Sequence, residues 1–314
     1  MTTIPGFSRR RIAVGDVTLS VQEAGAGAPL ILLHGYPQTG MTWSRVAPDF
    51  ARHFRVVVPD LRGYGESDAP ADDAGHTVYS KRTMARDVVA LMDALGIARA
   101  NILGHDRGAR VTYRLALDHP ERVARIGIVE IVPTGDFWAA WNAELAMAAY
   151  HWTFLAQPAP LPERMIGADP VGYIDWTLKS WTKAKSLDVF PAEALESYRA
   201  QARDPARIAA MCADYRAGAT YDLAADDADR AAGRRIAAPL RSLWARPGFP
   251  ACTGRPAELW SDWAGTISDA SCDSGHFAME ANPAAVIETF LPFLAADCPL
   301  RGARRSPRAR RAGS

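Results

Sequence analysis

Short apolar runs that alternate with helical patterns constrain the fold of this 314-residue chain more than any other feature. Four near-continuous apolar runs end in loop residues: LILLHG (30–35), RVVVPD (55–60), ANILGH (100–105) and RIGIVEIVP (125–133). Strands that are covered on both faces of a sheet have this composition. Helical patterns over 83–97 and 107–120 separate the last three runs. The alternation predicts an α/β fold, a mostly parallel sheet flanked by helices.

The rest of the chain completes this core and interrupts it once. An alternating segment and three later patterns predict a hairpin, two strands and a final helix: RIAVGDVTLSVQE (11–23), PLRSLWA (239–245), GTISDAS (265–271) and PAAVIETFLPFLAA (283–296). Residues 134–236 have little strand pattern and hold five of the nine tryptophans. We therefore predict an α/β core over 1–133 and 237–296, with a helical cap over 134–236 inserted after the sixth strand.

Composition and charge give no sign of a nucleic-acid or membrane partner. The net charge is +1, and no apolar run reaches the roughly 18 residues of a membrane helix. The start, MTTIPGFSRRR, lacks the apolar centre of a signal peptide. The tail 297–314 holds six arginines, and from Cys298 on it has no acid; such a tract can bind nucleic acid, but its low apolar content favours a disordered, solvated tail.

The cysteines indicate the cellular compartment. None of the four belongs to a CxxC pair or to a metal-like spacing: Cys212, Cys252, Cys272 and Cys298. We interpret them as reduced thiols in a cytoplasmic protein.

The stretch GHDRGAR (104–110) joins a predicted strand to a predicted helix and carries the chemistry. Gly104 and Gly108 flank Asp106 at the spacing of a strained turn that presents a nucleophile, where only small residues fit beside it. A carboxylate is ionised at neutral pH, since an unperturbed Asp has a pKa of about 3.9. It can attack a saturated carbon and form an alkyl ester on the enzyme. Asp106 therefore predicts cleavage of carbon–halogen bonds or epoxides, and not of ordinary esters.

A base and an acid follow Asp106 along the chain. His276, in CDSGHFAME, comes after the last strand-like run and is the predicted general base for a water that attacks the ester. The acid should follow a late strand, and the loop RPGFPACTGR (246–255) contains neither Asp nor Glu. By elimination, Glu130 is the candidate to orient His276. The alternative for Glu130 is a surface carboxylate on an edge strand.

Backbone amides and two arginines complete the pattern. The motif HGYP (34–37) follows a predicted strand, so the amide of Tyr36 is expected in an oxyanion hole, with the amide of Arg107 as its second donor. Arg107 and Arg110 are three residues apart at a helix start and can share one face. Guanidinium groups match carboxylates in a bidentate way, so the pair predicts a substrate that is itself a carboxylic acid. The alternative for Arg110 is an ion pair with an acid on a neighbouring element.

Six motifs, taken in order, resemble those of the haloacetate (fluoroacetate) dehalogenases in the α/β-hydrolase superfamily: HGYPQT, PDLRGYGESD, GHDRGAR, YHWTFLAQPAPLPE, DYRAGATYD and SGHF. The resemblance covers the chain from about residue 5 to 296. Its specific part is GHDRGAR together with HW in the cap, because epoxide hydrolases and haloalkane dehalogenases share the rest. It implies an α/β-hydrolase fold and hydrolysis of short 2-haloacids without a metal or organic cofactor. It also implies a homodimer formed through the cap.

The resemblance implies further site residues as well. His151 and Trp152 match the halide-binding pair of the family, and Tyr215 matches its third halide ligand. Trp181 resembles a residue of the pocket wall. Imidazole, indole and phenol groups donate hydrogen bonds, and three donors on a leaving halide stabilise charge that grows in the transition state.

Two departures from the family and two alternative functions are part of the prediction. Glu130 stands where the family is expected to have Asp, and the loop ARPGFPACTGR (245–255) is also unlike the family.

An epoxide hydrolase shares the Asp nucleophile but uses two cap tyrosines as acids, here Tyr215 with Tyr173 or Tyr221. A non-catalytic binder of a small acid usually lacks one member of the nucleophile–acid–base set, whereas this sequence has all three.

Overall fold

The computed structural model describes residues 3–296, so the predicted basic tail (297–314) and Cys298 lie outside the described residues. In the described part, eight strands form one sheet in the order β1-β2-β4-β3-β5-β6-β7-β8. The strands are β1 (Ser8–Ala13), β2 (Thr18–Gly25), β3 (Pro29–Leu33), β4 (Arg55–Pro59), β5 (Ala100–His105), β6 (Val123–Val129), β7 (Leu240–Ala245) and β8 (Ile267–Cys272). β2 runs antiparallel to β1 and β4, and all other neighbours are parallel. The predicted, mostly parallel sheet is confirmed.

Helices flank this sheet, and most of them lie in the chain between β6 and β7. The first three are α1 (Ala47–Ala51), α2 (Lys81–Ala94) and α3 (Asp106–Asp118). Eight more follow β6: α4 (Thr134–Ala139), α5 (Ala143–Ala148), α6 (His151–Leu155), α7 (Leu161–Ala168), α8 (Pro170–Trp181), α9 (Ala192–Ala202), α10 (Pro205–Ala219) and α11 (Tyr221–Ala231). The last three are α12 (Pro256–Ser261), α13 (Ala278–Ala281) and α14 (Pro283–Leu294).

The central strands are apolar because both of their faces are covered. All four residues of 30–33 and all three of 56–58 are fully buried. Burial of one such Val, Leu or Ile side chain stabilises the fold by about 1.5–3 kcal/mol. Every residue of β5 is also buried, so the loop that follows β5 begins at a fixed point beside the loops after β3 and β6.

Local signals fix the starts of the flanking helices. The Ser80 side chain accepts a hydrogen bond from the backbone N–H of Thr83 and caps α2. Asn282 does the same for α14, whose first residue is Pro283. A proline at this position loses no helical hydrogen bond, so both signals favour a helix start here.

The helices between β6 and β7 lie over the loops that follow the strands. Gln201 of α9 donates to the carbonyl oxygen of Pro37, which comes after β3. Asp214 of α10 accepts from the Tyr64 hydroxyl, which comes after β4. The carbonyl of Trp181, at the end of α8, accepts from the amide of His276, after β8. These contacts place α8, α9 and α10 above the carboxyl ends of the strands, where α/β sheets bind ligands.

Two further expectations have outcomes in the described residues. Cys212, Cys252 and Cys272 are all free thiols. No helix that the structure describes is both long and apolar enough to cross a membrane.

Candidate active site

The turn that carries Asp106 is tight and leaves no space for side chains around it. Asp106 itself has a φ of 47°, in the left-handed region that non-glycine residues seldom adopt. A Cβ on Gly108 would lie 2.5 Å from the carbonyl oxygen of Leu33, and one on Gly104 would lie 2.6 Å from the Cα of Ala109. Both glycines therefore allow β5, β3 and α3 to approach closely enough to hold Asp106 in its strained conformation.

The Asp106 carboxylate is buried and held by a backbone amide. Its Oδ1 accepts a hydrogen bond of 2.8 Å from the N–H of Tyr36, so the predicted oxyanion-hole amide points at the predicted nucleophile. Burial by itself raises the pKa of Asp106, but electrostatic interactions, the largest with His276, and the hydrogen bond from the Tyr36 amide hold it below its ordinary value. The carboxylate is therefore ionised at neutral pH.

His276 lies between the two carboxylates that the sequence assigns to it. Its Nε2 is 3.8 Å from Oδ2 of Asp106, and its Nδ1 is 3.4 Å from Oε2 of Glu130. Nε2 is buried and has no hydrogen-bond partner in residues 3–296. If Nδ1 carries the proton and donates a hydrogen bond to Glu130, Nε2 presents a free lone pair towards Asp106.

Glu130 follows β6 directly and is buried, with 1% of its surface exposed. Its φ is 60°, and its Oε1 accepts a hydrogen bond from the amide of Ala245, at the end of β7. Burial raises the pKa of Glu130, although His276 and the Ala245 amide act in the opposite direction. β6 lies between β5 and β7 in the sheet. The alternative of a surface carboxylate on an edge strand is therefore wrong.

The two arginines differ in their partners. Arg107 is fully buried, and its Nε and Nη2 donate to the carboxylate and carbonyl oxygens of Asp214. Arg110 donates to the carbonyl of Val132 at 3.2 Å and to the hydroxyl of Thr134 at 2.9 Å. Among residues 3–296 no acidic side chain pairs with Arg110. The alternative of an ion pair at Arg110 is thus wrong, and the ion pair is found at Arg107.

Both guanidinium groups retain unused donors. Nη1 of Arg107 and Nε of Arg110 are buried without a hydrogen-bond partner in the described chain. Burial lowers the pKa of Arg110. Burial acts in the same direction on Arg107, but the charge and hydrogen bond of Asp214 and the neighbouring tyrosines together outweigh it and raise the pKa of Arg107. Both side chains also lie over aromatic rings, Arg107 at 4.3 Å from the Tyr215 centroid and Arg110 at 4.6 Å from that of Trp152.

The residues predicted to bind halide form one aromatic cluster. The ring of Tyr215 is 5.3 Å from that of His151 and 6.1 Å from that of Trp152, measured between centroids. Trp181, the predicted wall residue, lies 4.3 Å from His151. Nδ1 of His151 and the Tyr215 hydroxyl are buried and have no partner in residues 3–296. Burial lowers the pKa of His151 well below its ordinary value, so its ring is neutral.

A small cavity lies beside Asp106 and is lined by some of these groups. Its walls include Asp106, Arg110, His151, Trp152 and Phe249, and about 10 Å³ of it is open to the centre of a water-sized sphere. That is close to the space that one water molecule needs. Only a very small ligand fits without movement of the walls.

A larger cavity of about 420 Å³ adjoins it and opens to solvent. Its lining includes Trp176, Trp181, Lys183 and His276, together with Phe249. Phe249 thus lines both cavities, with its ring 5.1 Å from His276 and 6.1 Å from His151. Within residues 3–296, no group of three or more His, Cys, Asp and Glu side chains is placed to hold a metal ion.

Sequence reasoning missed two residues of this site. Asp214 directly precedes Tyr215 in DYRAGATYD, and that position beside a predicted ligand was the available signal. Phe249 lies in the loop RPGFPACTGR, to which the sequence assigned no role. The change from the family's expected loop was the signal there.

Comparison with known proteins agrees with the fold. Residues 28–245 match the family model described as the alpha/beta hydrolase fold. The chain belongs to this family of hydrolases.

Among its relatives, the fluoroacetate dehalogenase of a Burkholderia sp is 41% identical over 289 residues, covering 91% of this chain and 94% of the relative. The soluble epoxide hydrolase of Corynebacterium sp. (strain C12) is 32% identical and covers 88% and 93%. A solved Pseudomonas aeruginosa protein is 47% identical with a TM-score of 0.88, covering 94% of this chain and 98% of that chain. One variant of the Pseudomonas protein was solved with bound MFA. The predicted resemblance to the haloacetate dehalogenases is confirmed.

Proposed function

We propose that this chain hydrolyses the carbon–halogen bond of short 2-haloacids such as fluoroacetate and chloroacetate, producing glycolate and halide. One observation carries the proposal. Four buried nitrogen or oxygen atoms of the predicted carboxylate- and halide-binding residues have no partner in the described chain: Arg107 Nη1, Arg110 Nε, His151 Nδ1 and Tyr215 Oη. Each can donate a hydrogen bond, and buried polar groups are nearly always paired. Arg110 and His151 line the small cavity beside Asp106, so their unpaired donors favour a small ligand that carries negative charge.

The substrate carboxylate would bind to the guanidinium groups of Arg107 and Arg110. Arg110 offers an uncompensated positive charge, whereas Asp214 neutralises Arg107 and leaves its Nη1, with two N–H donors, free. Binding the acid here also offsets the repulsion between the substrate and the Asp106 carboxylate. The identity of 41% with a fluoroacetate dehalogenase supports the same substrate class.

In the first chemical step, Oδ2 of Asp106 attacks the carbon that carries the halogen. Oδ1 is held by Tyr36, so Oδ2 is the free oxygen. A new C–O bond forms, the carbon–halogen bond breaks, and halide leaves with the electron pair. His151, Trp152 and Tyr215 would donate hydrogen bonds to the halide. Because its charge develops during the step, these donors act mainly on the transition state.

In the second step, Nε2 of His276 takes a proton from water, whose oxygen attacks Cγ of the Asp106 ester. The carbonyl oxygen becomes negative, and the amides of Tyr36 and Arg107 would stabilise that charge. The bond between Cγ and the alkyl oxygen then breaks, and glycolate recovers the proton from His276. The oxygen of the water remains on Asp106, which releases the second proton of the water to solvent and returns to its carboxylate form. Glu130 holds the tautomer of His276 that this step needs and stabilises its cationic form.

An epoxide hydrolase is the second candidate, because a protein of that activity is 32% identical over most of the chain. The free Tyr215 hydroxyl supports it, since it can protonate an epoxide oxygen. Tyr221 interacts with Arg82, which leaves Tyr173 as the other tyrosine; its hydroxyl is 3.5 Å from that of Tyr36. Two guanidinium groups beside Asp106 have no task in epoxide opening, so we favour the haloacid.

The deciding experiment measures halide release from fluoroacetate and chloroacetate in parallel, with Asp106→Ala as the control. We expect release by the wild-type chain and none by the variant. Release by the variant would exclude the ester mechanism. If the wild-type chain releases no halide but opens a styrene oxide or cyclohexene oxide ring, the second candidate is correct. Inactivity on all of these substrates would favour the non-catalytic binder of a small acid.

We also propose that residues 134–236 act as a cap domain on the core, that the chain works in the cytoplasm, and that it forms a homodimer through the cap. These three statements rest on the sequence and on the family resemblance. Light scattering coupled to size-exclusion chromatography tests the dimer directly.

A further inference from the structure

The two departures of this sequence from the haloacetate dehalogenases meet in the structure. Glu130 replaces the expected Asp after β6, and the unusual loop 245–255 follows β7. Ala245, at the start of this loop, donates its amide hydrogen to Oε1 of Glu130. Gly248 lies against the same carboxylate. We infer that Gly248 is a positioning residue for Glu130: its missing side chain leaves the space that the longer acid needs to reach His276. This inference rests on the proposed role of the Glu130–His276 pair.

The space at Gly248 is already filled by the Glu130 carboxylate. A Cβ added to Gly248 would lie 2.5 Å from Oε2 and 2.9 Å from Oε1 of Glu130, and 3.0 Å from the carbonyl oxygen of Ala245. Two non-bonded atoms do not approach so closely without movement. The Ala245 carbonyl belongs to the backbone at the end of β7, so the Glu130 carboxylate is the group that moves.

Backbone conformation gives no competing reason for a glycine here. Gly248 is absent from the residues with positive φ, so an alanine could adopt its backbone conformation. By contrast, Gly63 and Gly65 have φ values of 82° and 53° and are suited to glycine for that reason alone. Gly248 is therefore set by space and not by conformation.

The displaced carboxylate would lose its contact with His276. The Ala245 amide and Nδ1 of His276 hold Glu130 from two sides, and only 1% of the residue is exposed. The contact with His276 is already long, at 3.4 Å. A displacement away from Gly248 would leave Nδ1 unpaired and allow the wrong tautomer of His276.

The opposite change shows why the two positions form a pair. An aspartate at position 130 would place its carboxylate about 1.5 Å nearer the backbone, the length of one C–C bond. It would no longer occupy the space beside Gly248. A methyl group at position 248 should then be tolerated.

The test is a double-mutant cycle of four proteins: wild type, Gly248→Ala, Glu130→Asp and the double variant. The first readout is the thermal unfolding midpoint without substrate. The second is kcat for chloride release from chloroacetate, with the amount of Asp106 ester measured by mass spectrometry. Gly265→Ala is the matched control, because a Cβ on Gly265 meets nothing within 4 Å and its φ is also not positive.

We expect Gly248→Ala to lower the unfolding midpoint and to reduce kcat by about 100-fold, the effect of a misplacement of about 1 Å in a catalytic group. The ester should accumulate in this variant, because His276 acts in the step that removes it. In the Glu130→Asp background, the same change should leave the midpoint nearly unaltered and reduce kcat by less than about threefold, since the misplaced group is no longer there.

An equal loss in both backgrounds, or a Gly248→Ala variant that behaves like Gly265→Ala, would overturn the inference. If Gly248→Ala does not fold, folding of the double variant supports the inference and failure of both contradicts it. The unfolding midpoints need no substrate. They decide the inference even if no variant releases halide, the outcome that would instead refute the proposed function.

Discussion

The buried guanidinium of Arg107 donates hydrogen bonds to both the carboxylate and the backbone carbonyl oxygen of Asp214. Asp214 is fully buried and also pairs with Lys81 and accepts from the Tyr64 hydroxyl. Asp222 lies 3.7 Å from Lys81, so two carboxylates face the two cations and the charges nearly cancel. Arg110, one helical turn later, has no acid partner in the described chain. The pair of arginines is therefore asymmetric, and the first two predictions separate their contributions.

Arg110→Gln should lower kcat/KM for haloacids by more than a change in the free energy of unfolding would explain. It removes the uncompensated charge that faces the cavity, and losing charge-assisted hydrogen bonds costs roughly 1.5–3 kcal/mol each. We expect kcat/KM for chloroacetate to fall about 100-fold or more on that scale. Chloride release from neutral chloroacetamide, measured in the same assay, should change little. Equal losses on the acid and the amide would mean that Arg110 does not bind the carboxylate.

Asp214→Asn should destabilise the whole chain, because the buried Arg107 loses its ion pair and the buried Lys81 keeps only its longer contact with Asp222, at 3.7 Å. Removal of one partner from a buried ion pair costs about 3–5 kcal/mol. Urea unfolding of this variant and of the exposed control Asp262→Asn measures the loss. Adding Lys81→Met should restore part of the stability, since only one cation then remains. A double variant no more stable than Asp214→Asn would show that charge is not the cause.

The ion pair at Arg107 also marks what sequence reasoning could not reach. The pairing joins residues 107 positions apart, and no local pattern encodes such a contact. Spacing placed Arg107 and Arg110 on one helix face, but an acid partner for either depends on how α10 packs over α3. The sequence alternative put the ion pair on the wrong arginine for this reason.

The central strands were predictable because burial on both faces produces continuous apolar runs. The loop residues His34 and Asp106 also follow from the strands before them, since β3 and β5 are adjacent and parallel. For residues 134–236 the sequence predicted helices, but not the bounds of any one of them. Phe249 was not predicted, because its position between two cavities depends on the folded loop and not on any periodic pattern.

His276→Asn should stop the reaction after the first step. Asp106 would still displace the halide, but no base would activate water, so the ester would persist. We expect one equivalent of chloride per chain and a carboxymethyl group on Asp106, located by peptide mass spectrometry. In the wild-type chain, one turnover in ¹⁸O-water should place label in Asp106. Label found only in glycolate would mean direct attack of water on the substrate.

Because of Glu280, the free energy of unfolding should fall as the pH rises from weakly acidic to weakly alkaline. Burial raises its pKa from 4.5 to about 8, although hydrogen bonds, led by that from Tyr198, act in the opposite direction. Its Oε1 accepts from the Tyr198 hydroxyl in α9 and from the side-chain amide of Gln38, so this carboxyl joins the cap helices to the loop after β3. The folded chain keeps the proton at pH values where the unfolded chain has lost it.

The contribution of Glu280 to stability is therefore complete below its unfolded pKa, near 4.5, and is lost as the pH rises towards about 8. Glu280→Gln removes this titration. We expect the free energy of unfolding of the wild type to fall across this range more steeply than that of the variant. The exposed control Glu288→Gln should follow the wild type. Parallel profiles for wild type and Glu280→Gln would show that Glu280 does not titrate there.

Phe249 separates the reactive cavity from the larger outer one, and its removal should widen the range of substrates. With a cavity of about 10 Å³ beside Asp106, a methyl or ethyl group on the substrate carbon would meet this ring. Phe249→Ala should therefore raise kcat/KM for 2-chlorobutyrate relative to chloroacetate by about tenfold, the value of one or two methylene groups in a pocket. Phe249 lines both cavities, whereas Trp176 lines the outer cavity and not the one beside Asp106. Trp176→Ala is therefore the matched control. An unchanged substrate ratio in Phe249→Ala, or the same change in Trp176→Ala, would show that another part of the wall sets the size limit.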